Sequence, residues 1–138
     1  MRAVLLIGVA LCLGAAASQS TFDAAVSTFE RAWLSGSADD VAAMMEPAGI
    51  RLQLGSESHA LVGGRQARAA VSEFRGARER GEMELRQAEE VAGDPPKGSA
   101  QFGWRTVVRG TSEPVVYTIF VELTRVSGGW RISAIRVF

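Results

Sequence analysis

The chain has 138 residues, of which 47% are hydrophobic, and its 15 basic residues balance its 15 acidic residues. This length fits a single domain that can bury its own core. The balanced charge argues against a general electrostatic attraction to nucleic acid or to anionic lipid, so we expect neither as a partner.

Residues 1–17 have the three parts of a secretory signal peptide. Arg2 supplies the positive charge, residues 3–13 form an apolar run interrupted by Gly8, and residues 15–17 are the small alanines that signal peptidase accepts. The run is shorter than the roughly 20 residues that a transmembrane helix needs. We therefore predict an exported protein, periplasmic or extracellular, with no membrane attachment after cleavage.

Cleavage would leave residues 18–138 as a single mature domain and would remove Cys12, which is the only cysteine. A domain without thiols has no disulfides, no cysteine nucleophile and no cysteine metal ligand. One histidine, His59, remains, and a single imidazole does not make a metal site. We therefore expect no metal and no cofactor.

The first part of the mature domain is predicted to form three helices. The first begins at Ser20 and ends at Gly36, the second begins near Asp39 and stops at Pro47, and the third spans residues 65–80. Apolar residues on the first helix recur at the spacing of one helix face: Phe22, Val26, Phe29 and Trp33. Arginines lie toward the polar side of the third helix, which we interpret as a solvated face: Arg65, Arg68, Arg75 and Arg78.

Alternation of apolar and polar residues predicts a short hairpin and then four longer strands. The hairpin strands are residues 50–54 and 59–62, and the long strands are residues 82–91, 99–109, 115–125 and 130–138. Successive strands with short turns pair in an antiparallel manner. The predicted fold class is α+β, with a curved antiparallel sheet of about four long strands plus the N-terminal hairpin, wrapped on three helices.

The order of these elements, together with several short stretches, resembles a known cone-shaped, cystatin-like fold. The stretches are residues 29–33, 36–39 and 44–47 in the opening helix pair, 64–68 at the start of the third helix and 129–132 in the last hairpin. They are similar to the superfamily of nuclear transport factor two, the SnoaL-like polyketide cyclases, the ketosteroid isomerases and scytalone dehydratase, over essentially all of residues 20–138. The resemblance is closest to small exported bacterial domains of unknown function, and it implies the fold without an activity.

The resemblance also implies where an enzyme of this superfamily would place its catalytic groups, namely a carboxylate or histidine inside the cone, often with a tyrosine or a second acid. This chain departs from that pattern, because His59 falls in the short hairpin near the rim. Glu89 shares its strand phase with apolar residues, unless a bulge resets the strand, and Tyr117 and Arg136 are polar tips on the apolar phase of later strands. The candidate ligand pocket comprises Trp33, Glu89, Trp104, Tyr117 and Arg136, and we predict no catalytic residue.

Two functions remain open at this point. The first is an exported, non-catalytic domain that binds an apolar ligand or a protein partner. The alternative is a SnoaL-like isomerase or dehydratase that transfers protons with a cone-lining acid or tyrosine. Because tryptophans fit a packed core as well as a pocket, the presence of a cavity inside the cone distinguishes the two functions.

The outward phase of the last strands is apolar, although a solvated sheet face is usually polar. Such a patch usually contacts another molecule, although high β propensity alone would also explain it. Relatives with this fold commonly pair through the same sheet face, so the resemblance implies a homodimer, with another exported protein as the alternative partner. The predicted dimer face comprises Val107, Val116, Phe120, Ile135 and Val137.

Overall fold

A computed structural model describes residues 21–138, so the predicted signal peptide and the predicted helix start at Ser20 lie outside the described residues. Three helices pack against a curved sheet of six strands. No helix among residues 21–138 is both long enough and apolar enough to cross a membrane.

The three helices begin and end at residues with identifiable capping roles. They are α1 (Phe22–Ser35), α2 (Ala38–Ala43) and α3 (Gly64–Gly76). Thr21 and Ser37 cap α1 and α2, because their hydroxyls accept hydrogen bonds from backbone amides three residues ahead. Gly36, with a φ of 74°, ends α1 in the left-handed conformation that suits glycine. Asp39, the predicted cap of α2, lies inside that helix, and its carboxylate pairs with Arg68 on α3.

Helix α3 ends at Gly76, four residues earlier than predicted. The carbonyls of residues 78–80 accept hydrogen bonds from the guanidinium of Arg75. Arg78 also pairs with Val108 in an isolated β-bridge. These contacts hold the segment after α3 against the sheet, so it cannot continue the helix.

The six strands form one mixed sheet. They are β1 (Ile50–Leu54), β2 (Glu57–Val62), β3 (Glu82–Val91), β4 (Lys97–Val107), β5 (Pro114–Val126) and β6 (Gly129–Val137). Their order across the sheet is β2-β1-β6-β5-β4-β3, and all neighbouring pairs are antiparallel except β1 and β6. A parallel pair needs a long crossover, which α3 and the intervening strands supply. The predicted α+β cone is confirmed, and its sheet is mixed at this one pair.

The apolar face of α1 packs on the inner face of the sheet. Phe29 is fully buried, and its ring centroid lies 5.7 Å from that of Phe102 on β4. Phe22 lies edge-on to Trp130 at 5.1 Å and directly over Gly98, where a Cβ atom would be 2.2 Å from its ring. The absence of a side chain at Gly98 therefore lets the start of α1 approach β4.

A bulge in β6 reverses the predicted direction of the last side chains. The pairing of β5 with β6 shifts register at Ser133, which is the extra residue of the bulge. Beyond it Ile135 and Val137 are fully buried in the core, so their predicted place on the outward dimer face is wrong. Arg136 lies on the outer face and is exposed, so its predicted place in the pocket is also wrong.

A second bulge has the same effect in β3, the strand at the other edge of the sheet. The register shifts between Leu85 and Gln87, which places the extra residue at Arg86. Glu89 then pairs with Ser99, and both residues are exposed. The bulge moves Glu89 out of the phase of Leu85, so its predicted pocket position is wrong.

Candidate functional site

Aromatic side chains fill the space between α1, α3 and the sheet. Trp33 and Trp104 are fully buried, with ring centroids 5.4 Å apart and ring planes at 89°. Phe74 lies 6.4 Å from Trp104, and Tyr117 stacks on Trp104 at 5.5 Å. We call these four residues the aromatic cluster. It brings together three of the five predicted pocket residues, Trp33, Trp104 and Tyr117, as packed neighbours.

Arg78 covers the aromatic cluster on one side. Its guanidinium carbon lies 3.7 Å from the centroid of the Phe74 ring and 5.1 Å from that of Tyr117, which are cation–π distances. Its Nε donates to the Tyr117 hydroxyl at 2.9 Å, and its Nη1 donates to the Phe74 carbonyl at 2.7 Å. The Tyr117 hydroxyl is therefore already engaged by an arginine that was predicted to lie on a solvated face.

Arg75 covers the cluster from another direction and is only 5% exposed, so its predicted place on a solvated face is wrong. Its Nε donates to the carbonyl of Trp33 at 2.7 Å, and its Nη2 donates to that of Leu34 at 3.2 Å, near the end of α1. Its guanidinium carbon lies 5.1 Å from the ring centroid of Trp104. Arg75 therefore links α1, α3 and β4 through hydrogen bonds to backbone carbonyls and a contact with an aromatic ring.

Burial lowers the pKa of Arg75 below its ordinary value, and the nearby charges of Arg109 and Arg80 lower it further. Helical spacing is the signal that could have predicted this burial. Arg75 follows Val71 by four residues, and Val71 is fully buried.

The chain segment after α3 supplies backbone carbonyls that satisfy the polar atoms around the cluster. The Thr106 hydroxyl donates to the carbonyl of Glu79 at 2.6 Å, and the Trp104 indole donates to that of Arg80 at 3.0 Å. The Trp33 Nε1 is buried without a hydrogen-bond partner among the described residues. Within residues 21–138 the buried polar or charged residues are Arg75 and Thr106, so this part of the chain places no buried carboxylate or imidazole in the cone.

An open groove lies beside the aromatic cluster, between α3 and the β1–β2 hairpin, and we call it the α3 groove. One part of about 300 Å³ is lined by Leu54, Glu57, Glu73, Phe74 and Arg78, among others. The second part of about 250 Å³ is lined by His59, Gln66 and Val62, among others. Ala70 lines both parts. The predicted position of His59 near the rim therefore corresponds to the wall of this groove.

The outer face of the sheet carries an apolar patch. Phe120 on β5 and Phe138 after β6 lie 6.0 Å apart, and the guanidinium of Arg136 lies 5.6 Å from the Phe120 ring. Val116 and Phe138 are 57% and 51% exposed, and Val107 is half-buried on the same face. We call these five residues the outer patch. It retains three of the five predicted dimer-face residues and gains Arg136 and Phe138.

Ion pairs border the outer patch. The Glu122 carboxylate pairs with Arg51 at 3.0 Å and with Arg136 at 3.4 Å. Among residues 21–138, no group of three or more histidine, cysteine, aspartate or glutamate side chains is placed to hold a metal ion.

Comparison with solved structures identifies the fold. A DUF4783 family protein from Bacteroides uniformis is 14% identical, with a TM-score of 0.67 over 80% of this chain and 93% of its own. A ketosteroid isomerase-like protein from Erwinia carotovora atroseptica is 15% identical, with a TM-score of 0.66 over 83% of this chain and 90% of its own. A de novo designed protein with a curved β-sheet is 13% identical, with a TM-score of 0.59 over 84% and 94%.

No protein-family model matches the chain, and no curated protein matches its sequence. At such low identities the structural likeness establishes the fold alone. The chain has the cone fold of nuclear transport factor two-like and ketosteroid isomerase-like proteins, which it shares with bacterial domains of unknown function. The resemblance predicted from the sequence is confirmed at this level.

Proposed function

We propose that this protein is an exported, non-catalytic binding domain that forms a homodimer through the outer patch. The observation that carries the proposal is the exposure of Val116 and Phe138, with Phe120 half-buried between them, on one face of a sheet whose other face is already packed. When a second surface covers apolar side chains that lie together in water, the free energy decreases, so association is favoured. Export follows from the signal-peptide pattern of residues 1–17.

We favour a second copy of the chain over another exported protein as the partner. The outer patch spans β4, β5 and β6, so two copies can cover each other's patch about a twofold axis. Removal of Arg2 with the predicted signal peptide would leave one more acidic than basic residue, so no strong net charge keeps two copies apart. The ion pairs of Glu122 would lie in the polar rim of such an interface.

The packing of the aromatic cluster supports the non-catalytic part of the proposal. A SnoaL-like isomerase or dehydratase needs an acid–base group that faces a bound substrate. Among the described residues the cone offers the Tyr117 hydroxyl, which accepts a hydrogen bond from Arg78. The space that a substrate would need is filled by Trp33 and Trp104.

Size-exclusion chromatography with light scattering on the mature protein tests the homodimer. We expect twice the monomer mass for the wild type and the monomer mass for Phe120→Asp, because the substitution would bury a charge in the interface. Leu61→Asp is the matched control, since Leu61 is 69% exposed on β2, at the edge of the sheet, and this variant should stay dimeric. A wild type that is monomeric at all concentrations contradicts the proposal.

Mass spectrometry of the protein recovered after expression in a secreting bacterium tests the export. We expect the chain in the periplasm or medium to begin at Ser18, because Ala15 and Ala17 occupy the small-residue positions before the cut. An uncleaved chain that stays in the cytoplasm would overturn this part of the proposal.

A further inference from the structure

We infer that the corner formed by the edge-to-face rings of Phe74 and Tyr117, which we call the slot, is a binding site for a small organic cation with a guanidinium group, and that Arg78 occupies this site from within the chain. The inference does not depend on the homodimer, because the slot lies on the inner side of the sheet and the outer patch on the opposite side.

The slot matches a guanidinium in charge, shape and hydrogen bonding. Two aromatic rings, of Phe74 and Tyr117, lie within cation–π distance of the same guanidinium carbon. Two acceptors, the Tyr117 hydroxyl and the Phe74 carbonyl, take its N–H groups at 2.9 Å and 2.7 Å. A flat cation with several N–H donors satisfies all four groups at once, whereas a neutral or anionic group does not.

The α3 groove provides an entrance for such a ligand and space for the side chain of Arg78 after displacement. Glu57 on β2 and Glu73 on α3 line the same part of the groove as Arg78. The ion pairs found within residues 21–138 use other carboxylates, those of Asp39 and Glu122. The two glutamates would therefore attract an incoming cation and pair with the guanidinium of Arg78 once it is displaced.

The volume of the groove sets the size of the ligand. A space of about 300 Å³ next to the slot holds a short alkyl chain, and Leu54, Ala70 and Ala77 supply apolar walls for it. Because Arg78 must leave first, the ligand can bind only those wild-type molecules in which the slot is open. The apparent affinity of the wild type is therefore the affinity of the empty slot multiplied by the fraction of open molecules.

Isothermal titration calorimetry with n-propylguanidinium tests the inference. Arg78→Ala empties the slot, and we expect it to bind this probe about tenfold more tightly than the wild type does, since the internal competitor is gone. N-propylurea has the same shape without the charge and should bind Arg78→Ala at least about tenfold more weakly than the cation. Arg65→Ala, which removes an exposed arginine from the same helix, should bind like the wild type.

Two further variants keep the test decisive. Arg78→Met retains an apolar stem over Phe74 and serves in place of Arg78→Ala if that variant does not melt cooperatively. Adding Tyr117→Phe removes the hydroxyl acceptor and should weaken binding of the cation several-fold. If folded Arg78 variants bind n-propylguanidinium and N-propylurea equally, or no better than the wild type does, the inference is wrong.

The source of the guanidinium is resolved by a parallel titration with the blocked tripeptide acetyl-Gly-Arg-Gly-amide. Weaker binding of the peptide than of n-propylguanidinium supports the site as one for a free small molecule. Tighter binding of the peptide would overturn the small-molecule assignment and identify an arginine side chain of another protein as the ligand.

Discussion

The two faces of the sheet carry the same residue types, aromatic side chains and arginines, in opposite environments. On the inner face, aromatic rings are packed together, and Arg75 and Arg78 donate to carbonyls and to a hydroxyl at their border. On the outer face, aromatic and aliphatic side chains stay exposed, and Arg136 pairs with the carboxylate of Glu122. An arginine stabilises the fold where its partners are buried backbone carbonyls, and it leaves a surface available where its partner is an exposed carboxylate.

Because of this difference we propose a binding scaffold for a fold that can enclose a pocket. The four rings of the aromatic cluster fill the space between α1, α3 and the sheet, so the inner face contributes stability. The outer patch contributes less to the stability of a single copy, because Val116 and Phe138 are exposed. If this comparison holds, substitutions on the inner face should change folding, and those on the outer face should change assembly.

The largest effect is expected from truncating the inner face. Trp104→Ala removes a fully buried ring that contacts Trp33, Phe74 and Tyr117, and it should lower the free energy of unfolding by about 3–5 kcal/mol. Val116→Ala on the outer face should change it by no more than about 0.5 kcal/mol in the monomeric Phe120→Asp background. Urea unfolding measured by fluorescence compares the two variants. Equal losses of unfolding free energy would contradict the proposed difference between the inner and outer faces.

Arg75→Met is expected to rank next. The substitution keeps much of the buried volume but removes the donor from several carbonyls, including those of Leu34 and Arg78, so we expect a loss of about 3 kcal/mol in unfolding free energy. Arg65→Ala, which removes an exposed arginine of α3, is the control and should stay within about 0.5 kcal/mol of the wild type. Both values come from the same urea titration, and a loss at Arg75 as small as the control would show that the carbonyls do not need it.

A smaller effect is expected at the contact between α1 and β4. Gly98→Ala places a methyl group against the Phe22 ring and should cost about 1–3 kcal/mol. Combining it with Phe22→Leu should restore part of this loss relative to the sum of the two single substitutions, because the smaller side chain leaves room for the methyl group. Thermal unfolding of the four proteins measures the coupling, and strictly additive losses would contradict the close contact.

The smallest effect is expected for the ion pairs of the outer face. Arg136→Ala removes a pair whose side chains are 46% and 37% exposed, so the monomer should lose less than about 1 kcal/mol. Urea unfolding at low and high salt measures this loss. A loss comparable to that of Arg75→Met would contradict the difference between the exposed Arg136 and the buried Arg75.

The sequence predicted the strands and their inner residues correctly where the alternation runs without interruption. On β4 and on β5 as far as Leu123, the apolar phase is the buried phase, which explains the correct grouping of Trp104 with Tyr117. The prediction failed beyond Ser133 and beyond Arg86. A bulge adds one residue to a strand without a distinctive side chain, and it moves every later residue to the opposite face.

The two arginines around the aromatic cluster could not be assigned from charge alone. A charged residue in a helix is usually solvated, and the partners of Arg75 and Arg78 are mainly backbone carbonyls, which leave no mark in the sequence. The outer patch was partly predicted, because Val116 and Phe120 precede the shift in register. Phe138 and Arg136 joined it only because the bulge in β6 turned them outward.

The claim that the core around Trp33 and Trp104 is closed and that the outer face assembles is tested most directly by two-dimensional amide NMR of the wild type over a dilution series. We expect the amide signals of Val116, Thr118 and Phe120 to shift as the dimer dissociates, while the indole signals of Trp33 and Trp104 stay in place. Indole signals that shift on dilution, or outer-face signals that do not, would contradict the account.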